Sequence, residues 1–363
     1  MACIGVVMAG APVHAEELHA AQDREATTKT SSGNSSDEQQ EGESRPIKND
    51  LEQSNWFIVT WENDLFVFND DGYTNGISVG WGHGPYDSFE TLDIPKWIRA
   101  LSDWTYINGS REKDYAISYL VGQGMYTPTD ISDPDQILDD RPYAGTLTWE
   151  ARIRSYDAKV ADSLGLALGF VGPMSLAEQS QKLIHSITGS EEPQGWDNQI
   201  GNEPVFRIDA EHIKRLLVLN AEGQVEFDTN LYLNGGFGNL RSDVGAGFVF
   251  RLGTGLDQSF AFVNPAPARG INTLAGGPSV GFEWQVTAGI YGHYVFNDIT
   301  IDGNTFKDSL SAELEHDQYL ASLSVASSWR NWGLIFSVQR GTDTFVGQDT
   351  DGGFDTLSVT YNY

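Results

Sequence analysis

The chain has 363 residues, with 51 Asp and Glu against 22 Lys and Arg, a formal net charge of −29. Such a balance argues against nucleic acid as a partner, because that affinity comes from Lys and Arg neutralising phosphates. No run of about 18 apolar residues occurs, so no transmembrane helix is expected, and a mean hydropathy of −0.33 carries no membrane signal by itself.

Residues 1–15, MACIGVVMAGAPVHA, form an apolar run ending in the small-x-small pattern Val13-His14-Ala15. This reads as a signal peptide whose basic start is missing, in preference to a short buried strand. Its removal would take away Cys3, the only cysteine, and leave neither a disulfide nor a thiolate metal site. Residues 16–54 carry ten Asp/Glu and four Lys/Arg among Ser, Thr, Gln and Gly. Such a segment buries too little surface to offset its ordering entropy, and is expected to be a disordered acidic lead.

From residue 55 the dominant pattern has period two. Val225, Phe227, Leu231 and Leu233 alternate with Glu226, Asp228, Asn230 and Asn234. In the longest run, Val280, Phe282, Trp284, Val286, Ala288, Ile290, Tyr294 and Phe296 oppose Glu283, Gln285, Thr287 and His293. Soluble sandwich strands average five or six residues. These runs are nearer the ~9–11 residues a tilted strand needs to cross hydrocarbon. An apolar face for lipid and a polar face for a wet lumen define a transmembrane antiparallel β-barrel.

The alternation predicts twelve strands, near 55–63, 73–83, 113–122, 142–155, 160–171, 203–218, 223–235, 242–254, 278–296, 317–329, 331–342 and 354–363. Connections after even strands, such as SYDAK and SWRN, are mostly tight turns of the periplasmic side. Those after odd strands are mostly longer and would face outward. Two connections break the rule: 84–112, whose IPKWIRALSDW suggests a helix at the inner interface, and the Gly/Pro/Asn-rich 255–277. Trp56, Trp329, Trp332, Tyr361 and Tyr363 fall at the periplasmic rim as an expected aromatic girdle. The outward loop PMSLAEQSQKLIHSITG reads as a short helix. Ser175 and Glu178 are expected as its capping box, Gly189 as its stop, and Leu176, Leu183, Ile184 and Ile187 as a packed stripe.

Polar chemistry collects at the outward rim. The first strand ends at Glu62-Asn63-Asp64 and the second starts at Tyr73-Thr74-Asn75. The second outward loop brings Asp139-Asp140-Arg141, and the third brings His185 and Glu191. Asn63, Asp64 and Glu191 are hard oxygen donors of the kind Ca²⁺ takes. Asp and Asn also end strands and cap turns, so the residues alone leave both uses open. His185 fits a general base or a satisfied helical histidine. No Gly-x-Ser-x-Gly elbow occurs to support a serine nucleophile.

Together, WEND at the end of strand one, YTNG on strand two, then GQGMYTP, DDRPYAG, GFVGP, KLIHSITG and GWDNQI resemble the outer-membrane lipid A 3'-O-deacylase family, in family order across residues 55–363. The resemblance implies a twelve-stranded barrel that uses Ca²⁺ to hydrolyse the ester-linked acyloxyacyl group at the 3' position of lipid A. It implies His185 as the base that activates water, Asp64 and Glu191 as calcium-holding carboxylates, and Asn63 and Thr74 as groups that orient water or the ester. Arg141 is then the nearby cation for substrate, and the protein acts as a monomer on lipopolysaccharide among outer-membrane lipids. The 123–141 loop is acidic where basic residues would be expected to grip lipid A phosphates. The acidic lead and the 84–112 segment are extra. Two alternatives belong to other classes: a non-catalytic channel or ligand-binding barrel, and an outer-membrane phospholipase working through Ser-His-Asn.

Overall fold

Side chains of an extended strand point alternately to opposite faces, so a chain with one apolar and one polar face must separate lipid from a polar interior. The computed structural model describes residues 54–63, 72–87, 95–102, 105, 107, 113–135, 137, 140–220, 225–256, 260, 262–263, 271–272, 279–348 and 352–363. The expected signal peptide and residues 16–53 of the acidic lead lie outside the described residues.

In chain order the strands are β1 (Ser54–Asn63), β2 (Gly72–Tyr86), β3 (Asp114–Thr127), β4 (Ala144–Tyr156), β5 (Val160–Val171), β6 (Glu203–Asn220), β7 (Glu226–Phe237), β8 (Arg241–Gly253), β9 (Phe262–Val263), β10 (Ile271–Asn272), β11 (Ser279–Asp298), β12 (Asp317–Arg330), β13 (Trp332–Gly341) and β14 (Gly352–Asn362). Twelve of them close into an antiparallel barrel, β1 pairing with β14 through Trp56↔Asn362 to Asn63↔Asp355. The two-residue β9 and β10 form a separate pair inside the Gly/Pro/Asn-rich segment. Each expected strand is found, the fifth at its expected bounds, while the third continues to Thr127.

The apolar faces point outward. Phe57, Val59, Leu233, Phe248, Phe282, Ile290, Leu334 and Val359 are exposed on the outer wall. Of the expected girdle, Trp332 and Tyr361 meet at 4.7 Å between ring centroids, and Tyr361 stacks on Tyr363. Trp56 departs from it. Its position in the alternation turns it inward beside Ile58, and it is buried. Helix α1 (Lys96–Ser102) occurs where the sequence suggested one. It lays Ile98 against Tyr115, Ile117, Ala151 and Ile153, outward residues near the tight-turn end of the wall.

The polar faces interlock rather than line an open column of water. Arg152 of β4 pairs with Asp209 of β6 at 2.8 Å, Arg207 of β6 with Asp243 of β8 at 2.6 Å, and Arg241 of β8 with Asp298 of β11 at 2.9 Å. The first two pairs each skip one strand and tie the wall to itself across the interior, while the third joins register partners on the adjacent β8 and β11. Deeper in the barrel, Asp228 receives the guanidinium of Arg251 and lies 3.2 Å from Arg215, all three buried. Removing one partner of a buried ion pair leaves uncompensated charge and costs about 3–5 kcal/mol. Asp228→Ala is therefore expected to lower the urea midpoint of the folded barrel in lipid vesicles by a corresponding amount.

Candidate active site

The site begins on the outer wall. In β1, Phe57 and Val59 face out while Ile58, Thr60 and Glu62 are buried inside, so Trp61 and Asn63 belong to the outward set. The register carries that set sideways as one row, Asn63↔Asn75↔Met125↔Gly145 across β1 to β4. At ~4.8 Å per strand the row spans about 14 Å. Gln123 lies on the same face of β3, two positions from Met125. Trp61 Nε1 donates to Asn75 Oδ1 at 3.0 Å. Amides on a lipid-facing wall would lack partners in hydrocarbon. Here they stand at the long-loop end, beside an element that covers the wall.

That element is helix α2 (Ala177–Thr188), reached from β5 through a 3-10 turn, Pro173–Ser175. It is seated on the outward side of β3 and β4. Ala177 packs with Met125, Tyr143 and Trp196, and Ile184 closes on the same cluster. Gln123 Nε2 donates to the Ser175 carbonyl at 2.5 Å. Gly145 permits the close approach: a methyl built there collides with Ser175 Oγ and Ala177 Cβ. The helix stops as expected at Gly189, whose φ of 78° is left-handed and whose N–H donates to the His185 carbonyl at 2.8 Å.

Two expectations for this helix need correction. No capping box forms, because Leu176 occupies the N-cap at φ 60° and offers no side-chain acceptor. Ser175 Oγ instead accepts from the Ala177 N–H at 3.3 Å, and Glu178 pairs with Lys182 at 2.9 Å. The packed stripe is also different. Ile184 packs, but Leu176 and Leu183 are exposed, and the side chain of Ile187 lies outside the described residues. The wall-facing stripe is Ala177, Gln181, Ile184 and His185, the i, i+4 rows starting one residue later than the leucines suggest.

His185 is only 7% exposed, and its Nδ1 meets the backbone carbonyl of Glu191. A carbonyl can only accept, so Nδ1 donates and the basic lone pair sits on Nε2. The Glu191 carboxylate is exposed; what this residue gives the histidine is its main chain. Asn63 ends β1 on the outward row, whereas Glu62 points into the barrel. Asp64 lies outside the described residues, and Thr74 is described only in backbone, within β2. Among the described residues no three His, Cys, Asp or Glu side chains gather as a metal site.

Arg141 lies elsewhere. It is buried at the loop preceding β4, donating to Thr300 Oγ1 at 3.2 Å, with its guanidinium over the Tyr126 ring at 4.8 Å. Burial draws its pKa down, opposed by Tyr126, Asp298 and Asp140. It helps line a cavity of about 260 Å³ with Asp135, Asp140, Tyr143 and Asn198. Burial also pushes the Tyr143 phenol up to about 12.

Three amides complete the crevice and received no role from sequence. Asn75 Nδ2 and Gln181 Nε2 are buried with no protein partner among the described residues, while Gln181 Oε1 accepts from Trp196 Nε1 at 2.7 Å. The third is Gln123. An unmet buried donor costs about 1–3 kcal/mol, which a bound oxygen would relieve. A signal was present in the alternation: Asn63, Asn75 and Gln123 fall on the lipid-facing phase of their strands, where Phe57, Ile77 and Val121 are apolar.

A closed twelve-stranded barrel with an apolar outer wall and an interlocked polar interior defines an outer-membrane β-barrel protein, here with a covered polar crevice on its outer side. A family model described as outer membrane protein LpxR matches residues 6–363, and the chain belongs to that family, the lipid A 3'-O-deacylases its motifs resemble. The structure is similar to that of LpxR from Salmonella typhimurium at a TM-score of 0.68 and 17% identity, over 84% of this chain and 99% of that one. It is also similar to the β domain of the Bordetella autotransporter BrkA at a TM-score of 0.40 and 8% identity, over 85% and 98%. No curated protein sequence matches the chain.

Proposed function

We propose that this protein is a Ca²⁺-dependent hydrolase that removes the 3'-O-linked acyloxyacyl group of lipid A at the outer membrane. The observation that carries the reading is the crevice: a buried histidine and unmet amide donors enclosed between α2 and the outward face of the barrel wall. A lipid can keep its acyl chains in the leaflet and still present its sugar ester there. Neither a pore nor a lumen-binding barrel needs polar groups on that side.

His185 takes the proton from the attacking water at Nε2, and the Glu191 carbonyl holds the ring by its Nδ1–H. Water attack forms the tetrahedral carbon, the sugar oxygen leaves, and the same imidazolium returns the proton to it. The amides of Asn75 and Gln181 offer N–H donors to substrate oxygens. Asn63, Asp64 and Glu191 are the hard oxygen donors that would hold Ca²⁺. An ion held by them would supply Lewis-acid stabilisation to the ester oxygen.

Incubating the detergent-purified protein with lipid A and following acyl loss by mass spectrometry tests the reading. Turnover is expected to fall about 10²–10³-fold in EDTA, the usual cost of one lost electrostatic element, and to return with Ca²⁺. Undiminished turnover in EDTA would remove the metal from the proposal, and no acyl loss at all would remove the activity.

A further inference from the structure

Because α2 is held against the outside of the barrel, its far side faces whatever surrounds the barrel. That side carries exposed Gln179 and Ser186 and, along one edge, exposed Leu176 and Leu183. From β5, exposed Leu168 and Phe170 lead through exposed Pro173 and Met174 to Leu176, 56% exposed. Leu183, seven residues further and on the same helix face, is 61% exposed. The opposite face, Ala177, Gln181 and His185, is buried. On the neighbouring strands Phe206 and Phe237 are exposed with ring centroids 6.1 Å apart. The lipid-facing band of the wall therefore continues from β5–β7 onto the Met174–Leu176–Leu183 edge of the helix. Leu176 is held at φ 60°, a conformation L-residues rarely adopt, with its side chain directed to the outside. The flank bearing charge is neutralised internally by the Glu178–Lys182 pair.

We infer that the Met174–Leu176–Leu183 edge of α2 sits among the acyl chains of the outer leaflet, so that the crevice beneath the helix opens sideways to lipid. Continuity with the lipid-facing wall carries the inference, and it does not depend on the hydrolase reading.

The test uses the full chain in lipid vesicles, with a Cys3→Ser background and single environment-sensitive labels on Met174→Cys, Leu183→Cys, Phe206→Cys as the wall reference and Asp133→Cys as the loop reference. Lipids bearing a nitroxide near the top of the acyl chain are expected to quench labels at 174 and 183 as strongly as at 206. Aqueous iodide is expected to quench 133 and leave 174 and 183 shielded. Iodide quenching of 174 or 183 to the extent seen at 133, with or without nitroxide quenching, overturns the inference. No turnover is measured, so failure here is separate from failure of the proposed activity.

Discussion

His185→Ala is expected to lower lipid A deacylation by about 10²–10⁴-fold, the range a positioned general base contributes. The barrel should survive intact, because His185 lies on a helix outside the closed ring of strands, apart from the interior ion pairs described above. Retained heat-dependent mobility on a gel would show this. Glu191 supplies the sharper comparison. Its main-chain carbonyl holds Nδ1 of His185, while its carboxylate is exposed. Glu191→Ala keeps the carbonyl and removes only the carboxylate. If that carboxylate helps hold calcium, the variant should retain a working histidine but need more Ca²⁺ to reach full rate. A Glu191→Ala enzyme whose calcium dependence matches the parent would leave this residue a purely main-chain role.

The barrel was legible because its constraint is repeated. Every strand must alternate, so an error at one position is outvoted by its neighbours, and the twelve strands emerge close to their observed bounds. The site was only half legible. Asn63 and His185 stand out by residue type and neighbouring motif. The face of Asn63 follows from its phase in β1, yet whether His185 meets that face depends on which side of the wall α2 takes, and that is set by tertiary packing. Gly145 decides it, by letting Ser175 and Ala177 approach β4 from outside. The helix's leucines misled for a related reason. In water they would mark the buried stripe; beside an outer wall they fall on the exposed side, and the buried stripe carries Gln181 and His185. The capping box failed because Ser175 ends the 3-10 turn one residue short of the N-cap, which Leu176 takes. Trp56 was misplaced by one step of parity, enough to move it from the girdle to the interior.

Gly145→Val is expected to unseat α2 while leaving the barrel closed. Its backbone already pairs with Met125 in the β3–β4 ladder, so the strand has no room to retreat. A branched side chain would occupy the space of Ser175 Oγ and Ala177 Cβ, and the helix is the element that must give way. Overpacking of this kind costs about 1–3 kcal/mol, modest against a barrel closed by twelve paired strands but concentrated on the helix contact. The Met125–Tyr143–Ala177–Trp196 cluster would loosen, carrying His185 away from the outward row. A displacement of about 1 Å in a positioned catalytic group can cost about 10²-fold in rate. The expected signature is therefore a deacylation rate reduced about 10²-fold or more, with an unchanged urea midpoint and faster proteolysis within 173–189. Gly145→Ala, carrying the smaller group, should lose less. Parent-like turnover in Gly145→Val would mean that the helix need not rest on β4 for the chemistry, and the crevice would lose its place as the site.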